Sequence, residues 1–249
     1  MIDVVVAVCG DEAYFKMAEI SIPSFLRSNP TAKLHVFTDD TSKIKPSYKC
    51  EVYDIQEAVK QCDKNTILSL TPKMNDFDNN GVKHIHSHVA LLPLLAEKVC
   101  SSDYIVKIDV DSFFEGDMMR YVEKNAGEDL ILIDRSHDKI MKTYSGMPGV
   151  GFLMWRRKGQ FVRAYTELFN GHEQETILNI FGCGIVPTRL FFNWNYHICY
   201  PFYHASKDGR TLTKKDTDEW TPFYIHVNGK DEPQIDKLKR LEEWYAGSN

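Results

Sequence analysis

The amino-acid sequence predicts an α/β fold, a mostly parallel sheet flanked by helices in a single domain over residues 1–249. Three observations predict it. Short β-branched apolar runs alternate with segments of helical apolar spacing through the first half of the chain. The runs are continuous in apolar character, as in strands buried on both faces. Acids then gather where the runs end, at Asp11, Asp39, Asp40, Asp109 and Asp111, and open α/β sheets bind their ligands beyond the carboxyl ends of strands.

The first run, DVVVAVCG from Asp3 to Gly10, is a strand that Gly10 and Asp11 break. From Glu12 to Ser28, the residues Phe15, Ala18, Ile22, Phe25 and Leu26 recur at helical spacing, and Asn29 with Pro30 closes the helix. AKLHVFTDD, Ala32 to Asp40, is a second strand, and CEVYDI, Cys50 to Ile55, a short third. After a polar loop around NDFDNNG, the segment Ser87 to Val99 reads as a largely buried helix that Pro93 bends or starts. DYIVKIDVD is the next buried strand. DLILID, Asp129 to Asp134, and GVGFLMWRR, Gly149 to Arg157, are two more. Helices follow over about Lys158 to Phe169 and from Glu173 to Ile180. The aromatic-rich last third ends in a charged amphipathic tail, IDKLKRLEEWYAG. No repeat, low-complexity tract or dividing linker interrupts the chain.

Composition narrows the function classes. With 249 residues, 43% of them hydrophobic and 26% charged, the chain can bury a substantial core. A formal net charge of -5 argues against sequence-independent nucleic-acid binding. MIDVVVAVCG has no basic stretch before its apolar run, and no segment reaches the ~18 apolar residues of a membrane span. The expectation is therefore a cytoplasmic chain without a signal peptide or integral membrane segment. Cys9, Cys50, Cys62, Cys100, Cys183 and Cys199 show no CxxC pair or zinc-like spacing. They read as free thiols of a reducing compartment, or as holding a disulfide in a secreted form.

The chemistry centres on Asp109 and Asp111, in KIDVDSFFEGDM. On an extended chain the two carboxylates of an Asp-x-Asp share one face. They repel, and burying either unpaired is expensive, so something positive is expected between them. Oxygen ligands of this kind suit a hard divalent ion, Mg²⁺ or Mn²⁺. The triplet alone is also what a solvated strand end looks like.

In context the sequence resembles the GT-A nucleotide-sugar glycosyltransferases, most closely those of family 8, whose metal triplet lies in a segment like KIDVDSFFEGDM, with the later Gly116 and Asp117 in order. By that resemblance Asp109 and Asp111 hold a metal that bridges the diphosphate of the donor. The N-terminal strand and helix resemble the family's nucleotide-binding start. That implies Ala7, Val8, Cys9, Asp11 and Tyr14 around the base and ribose, although Tyr14 also reads as an ordinary helix-face aromatic. IHVNGKDEP resembles the family's His-x-x-Gly-x-Lys segment, making His226 the third metal ligand and placing Gly229 and Lys230 at the phosphates. HEQETILN resembles a DQDxLN helix, which sets Gln174 near the reacting sugar carbon, with Glu173 and Glu175 in place of aspartates. The same acids also suit a helix start on dipole grounds. Asp134, in LILIDRSHD, matches a sugar-facing aspartate.

Two departures accompany the match. The family's FNxGV turn is MPGVGF here, without its asparagine at Gly149, and its Tyr-x-Arg is replaced by His88 and Ala90. Lys83, His84, His86 and His88 are candidates for the missing positive charge.

The resemblance implies transfer of a sugar from a nucleoside diphosphate sugar, a UDP-sugar, to a hydroxyl of a glycan, lipid-linked or protein-linked acceptor, with retention. It assigns residues 1–120 to a nucleotide-binding half and 121–249 to the acceptor half and the C-terminal metal and phosphate segment. The alternatives are an inverting GT-A enzyme using Asp134, Glu173 or Glu175 as base, a sugar nucleotidyltransferase, and a non-catalytic sugar-binding module. CGDEAYFK has one glycine and two acids, which is a poor triphosphate loop and counts against the nucleotidyltransferase.

Overall fold

A mixed sheet of seven strands carries the molecule. The computed structural model describes residues 2–62, 89–124, 126–134, 148–170, 173–192, 203–205, 212–214, 224–227 and 233–248. In chain order the elements begin with β1 (Asp3–Val8), α1 (Glu12–Ser28), β2 (Lys33–Thr38), a 3₁₀ turn (Thr41–Lys43), β3 (Cys50–Asp54) and α2 (Ile55–Lys60). Then come α3 (Leu92–Val99), β4 (Tyr104–Ile108), β5 (Ser112–Phe114), α4 (Met119–Lys124), β6 (Leu130–Asp134) and β7 (Pro148–Arg156). The chain continues through α5 (Gln160–Leu168), α6 (Glu173–Cys183), β8 (Thr188–Phe192), β9 (Tyr203–Ala205), β10 (Leu212–Lys214), β11 (Tyr224–His226) and α7 (Gln234–Ser248).

The sheet order is β3-β2-β1-β4-β7-β6-β8. Strands β1 to β4 run parallel, β7 pairs antiparallel with both β4 and β6, and β8 is parallel to β6. Six strands thus share one direction, and strands from both halves of the chain meet at the β4–β7 pairing.

Period-two alternation sorts the side chains of each strand onto two faces. Val4, Val6, Val8 and Ile108 pack with Phe15, Ile22 and Phe25 of α1 and with Leu238 and Leu241 of α7. Val5, Ile105, Leu132 and Leu153 pack with Leu92 and Leu95 of α3, Phe161 and Tyr165 of α5, and Ile177 and Ile180 of α6. Two hydrophobic cores result, one on each side of the sheet, and each fully buried Leu, Ile or Phe contributes about 1.5–3 kcal/mol.

The sequence reading of α1 matches its observed ends, Glu12–Ser28. The helix expected from Ser87 begins at Leu92, because Pro93 sits in its first turn, where a missing N–H leaves no helical bond unmade. The amphipathic tail is helix α7. Strands β5 and β11 carry no sequence signal of their own; they pair antiparallel with His226 opposite Ser112. Three side chains at the end of α1 tie this ribbon to the body. Ser24 Oγ accepts from Phe114 N (3.2 Å), Ser28 Oγ donates to Phe114 O (3.0 Å), and Asn29 Oδ1 accepts from Met118 N (2.7 Å).

Among the described residues, Cys9, Cys50, Cys62, Cys100 and Cys183 are free thiols. No helix among them is long and apolar enough to cross a membrane.

Candidate active site

Strands β1, β2, β4 and β6 all end at one edge of the sheet, and the site forms there. At β1 the turn is made by Gly10, whose φ of 99° is open to glycine and strained for other residues. That conformation directs Gly10 N to Asp39 Oδ2 at the end of β2, 3.1 Å away. Asp11 then occupies the exposed N-cap position of α1 without a side-chain capping bond, and its carbonyl accepts from Tyr14 N at 3.0 Å.

At the end of β4 the backbone holds both aspartates. Asp109 N donates to Gly151 O of β7 at 3.0 Å, and Asp111 O accepts from Val227 N at 2.9 Å. The second bond extends the β5–β11 ribbon and brings His226 alongside the triplet. His226 Nε2 lies 3.2 Å from Asp111 Oδ1 and 3.8 Å from Asp109 Oδ2. One donor atom from each of Asp109, Asp111 and His226 falls within 4.8 Å of the others.

Gly151 forms the floor of this cluster. A Cβ there would meet Asp109 Oδ2 at 3.1 Å and His226 Cε1 and Nε2 at 3.2 and 3.3 Å. Tyr224 fixes the floor to the ribbon: its hydroxyl donates to Gly151 O at 2.7 Å and accepts from Ser112 Oγ at 3.1 Å. The Tyr224 ring lies nearly parallel to the His226 imidazole, at 8°.

Two carboxylates and an imidazole around a space kept open by a glycine fit a divalent ion of the Mn²⁺ or Mg²⁺ kind. Burial by itself would raise the Asp111 carboxyl, but the His226 charge and hydrogen bonds from His226 and Gln234 hold it below its ordinary value. The Gln234 bond, Nε2 to Asp111 Oδ2, is 2.6 Å and comes from the first residue of α7.

Lys107, next to last in β4, is a buried cation only 2% exposed. Its Nζ lies 3.0 Å from Asp109 Oδ1 and 2.9 Å from Glu173 Oε2. Burial pulls the ammonium toward neutrality, yet the two carboxylates outweigh it and its pKa stands above the usual lysine value. Stripping one partner from such a buried pair typically costs about 3–5 kcal/mol.

Beside the triplet is a cavity of about 240 Å³ lined by Ala7, Cys9, Tyr14, Lys107, Asp109, Asp111 and Gln234, among others. Burial first, and then the carboxylates of Asp111, Asp11 and Asp109, raise the Tyr14 phenol, so it remains a neutral hydrogen-bonding group. Burial, with Asp39 nearby, pushes the Cys9 thiol up to about 12, which removes it as a nucleophile. Val8 points into the core beneath, leaving only its backbone to the site.

Gln174 is half-buried in the first turn of α6, next to Glu173. Asp134 closes β6, paired through its backbone with Pro148 and Phe192, at the same sheet edge as Asp109. Gly229, Lys230 and the basic group Lys83, His84, His86 and His88 lie outside the described residues. Sequence reasoning passed over Lys107, Gly151, Tyr224 and Gln234. For Lys107 there was a signal, a lone cation inside an apolar run two positions before the first acid.

A doubly covered sheet in this order, with an acidic triplet at the end of its central β4, is the GT-A fold of the nucleotide-sugar glycosyltransferases. Solved structures share this fold. The galactosyltransferase LgtC, in complex with donor and acceptor sugar analogs, is similar at a TM-score of 0.58 and 13% identity, over 99% of this chain and 95% of that one. Mouse xyloside xylosyltransferase 1 is similar at a TM-score of 0.54 and 12% identity, over 91% and 98%. The glycosyltransferase GlyE of Streptococcus pneumoniae TIGR4 gives 0.53 and 16%, over 99% of this chain and 63% of that one. No family model and no curated protein matches the sequence.

Proposed function

We propose that the chain is a metal-dependent glycosyltransferase that moves a sugar from a UDP-sugar to an acceptor hydroxyl with retention of anomeric configuration. The observation that carries this reading is the convergence of Asp109, Asp111 and His226 within 4.8 Å beside a cavity lined by Ala7, Cys9 and Tyr14, at the carboxyl edge of a GT-A sheet. Asp109, Asp111 and His226 hold Mn²⁺ or Mg²⁺, which when bound offsets charge on the departing nucleoside diphosphate.

The chain's own residues supply the rest. Ala7, Val8 and Cys9 form the wall for the base, with Asp11 and Tyr14 offering polar atoms to the ribose. By the family resemblance, Gly229 and Lys230 meet the diphosphate, and the lysine ammonium stabilises it as a leaving group. Gln174 presents a neutral amide to the anomeric carbon, where an oxygen dipole stabilises growing positive charge. Asp134 binds sugar hydroxyls, and the acceptor is a glycan free or linked to lipid or protein. One of the solved neighbours is an active-site mutant of LgtC in which a glutamine is replaced by glutamate, which supports a role for a glutamine in sites of this kind.

Retention is favoured over inversion by the state of one candidate base. Lys107 Nζ holds Glu173 Oε2 at 2.9 Å, so one oxygen of this candidate base is already engaged in an ion pair.

The test is a screen of nucleoside diphosphate sugars with Mn²⁺, read by melting temperature and by release of the nucleoside diphosphate. A UDP-sugar at a hundredfold excess over its Kd should stabilise the protein by about 2.7 kcal/mol. Absence of any stabilisation or turnover across the panel, with Mn²⁺ present, defeats the proposal.

A further inference from the structure

We infer that Lys107 is a positioning residue that aims Asp109 at the metal site and locks the helix carrying Gln174 to it, a role that rests on the proposed glycosyltransferase reading. Lys107 and Asp109 are two residues apart at the end of one strand, so their side chains leave on the same face. That face is the one on which α6 packs, through Ile177 and Ile180. A single ammonium can therefore reach both the strand and the first turn of the helix.

The division of Asp109's two oxygens gives the inference its content. Oδ1 is taken by Lys107 at 3.0 Å, while Oδ2 faces His226 Nε2 at 3.8 Å. Holding one oxygen fixes the carboxylate plane and leaves the other aimed into the cluster, as residues behind metal ligands do elsewhere. The same Nζ holds Glu173 Oε2 at 2.9 Å, and Gln174 is the next residue. The strand end and the helix start are thus set against each other through one atom, in a setting where Lys107 is 2% exposed and has little freedom to move.

Lys107 also offsets the charge of Asp109, one of the two like charges at the triplet.

The experiment separates aim from charge. Lys107→Met combined with Glu173→Gln removes one positive and one negative charge and so keeps the net charge of the site, while Asp109 loses its tether. Mn²⁺ affinity, measured by electron paramagnetic resonance and calorimetry on the otherwise intact protein, should fall about 10- to 100-fold. Glu173→Ala leaves Asp109 tethered and frees only the helix. It should bind Mn²⁺ within about 3-fold of wild type yet lower kcat at least about 10-fold with donor KM little changed, the pattern of an interaction made in the transition state. Wild-type Mn²⁺ affinity in the double variant overturns the aiming role, and wild-type kcat in Glu173→Ala overturns the locking role. A wild-type protein that binds no Mn²⁺ overturns both this inference and the metal-dependent reading beneath it. A protein that binds Mn²⁺ and shows the expected fall in affinity in the double variant, but transfers no sugar, overturns the glycosyltransferase reading and with it the locking role read through kcat, and leaves the aiming role standing.

Discussion

Adding one carbon at Gly151 should damage the metal site and leave the fold standing. A Cβ there would sit 3.1 Å from Asp109 Oδ2 and 3.2 and 3.3 Å from two atoms of the His226 ring. Comfortable contact begins at about 3.5 Å, so both side chains must retreat by about 0.2–0.4 Å. Metal–ligand distances tolerate only about 0.2 Å. Two of three proposed ligands therefore move to or past tolerance together. Mn²⁺ affinity in Gly151→Ala should fall about 10- to 100-fold, equivalent to about 1.4–2.8 kcal/mol. Stability should change by less than about 1 kcal/mol, below the usual cost of overpacking a core. The displaced atoms are the ends of side chains, with Asp109 31% exposed, and the backbone at Gly151 is outside the left-handed region that an alanine resists. Titration with Mn²⁺ followed by paramagnetic resonance, alongside urea melts of the metal-free protein, decides it. A folded Gly151→Ala protein that binds Mn²⁺ within a factor of two of wild type would refute the reasoning.

Asp111→Asn should abolish transfer with Mn²⁺ present while circular dichroism remains native, and turnover at the wild-type rate would rule out metal catalysis through this triplet. Gln174→Ala should lower kcat about 10- to 1,000-fold with little change in donor KM, and NMR of the first-formed product should show retention; inversion would redirect the search to a carboxylate base. At the opposite end of the sheet, burial would raise the Asp3 carboxyl, but hydrogen bonds from His35 and from the backbone N–H groups of Ser102 and Ser101 outweigh it and hold the group below 3.8. A carboxyl depressed in the folded state stabilises above its unfolded pKa and loses that contribution as pH falls through its folded pKa. Asp3→Asn should therefore cost about 1–3 kcal/mol at pH 7, with the gap to wild type narrowing only below about pH 4; urea midpoints that differ equally at pH 7 and pH 3 would contradict this.

What could be read from the sequence was whatever the chemistry of a local segment dictates. The valine-rich β1, the helical spacing of α1 and the acids after β4 each declare themselves within a dozen residues. His226 was found through the residues around it, since a lone histidine says nothing about its neighbours in space. Strands β5 and β11 have three residues each, too few for a period to appear. Gly151 could be seen in MPGVGF, but its role depends on what approaches it from β4 and β11. Lys107 was visible as an oddity, while the partner that explains it, Glu173, is 66 positions away.

The β5–β11 ribbon has a consequence for how the molecule comes into being. Every strand of the main sheet has been made by Phe192. His226 and Gln234 arrive afterwards, and Gln234 reaches Asp111 across 123 positions of chain. The acidic triplet is thus synthesised well before two of the side chains that surround it in the folded protein. The ligand cluster and the core on that face of the sheet therefore depend on the same late segment, since Tyr224, Ile225, Leu238 and Leu241 pack there.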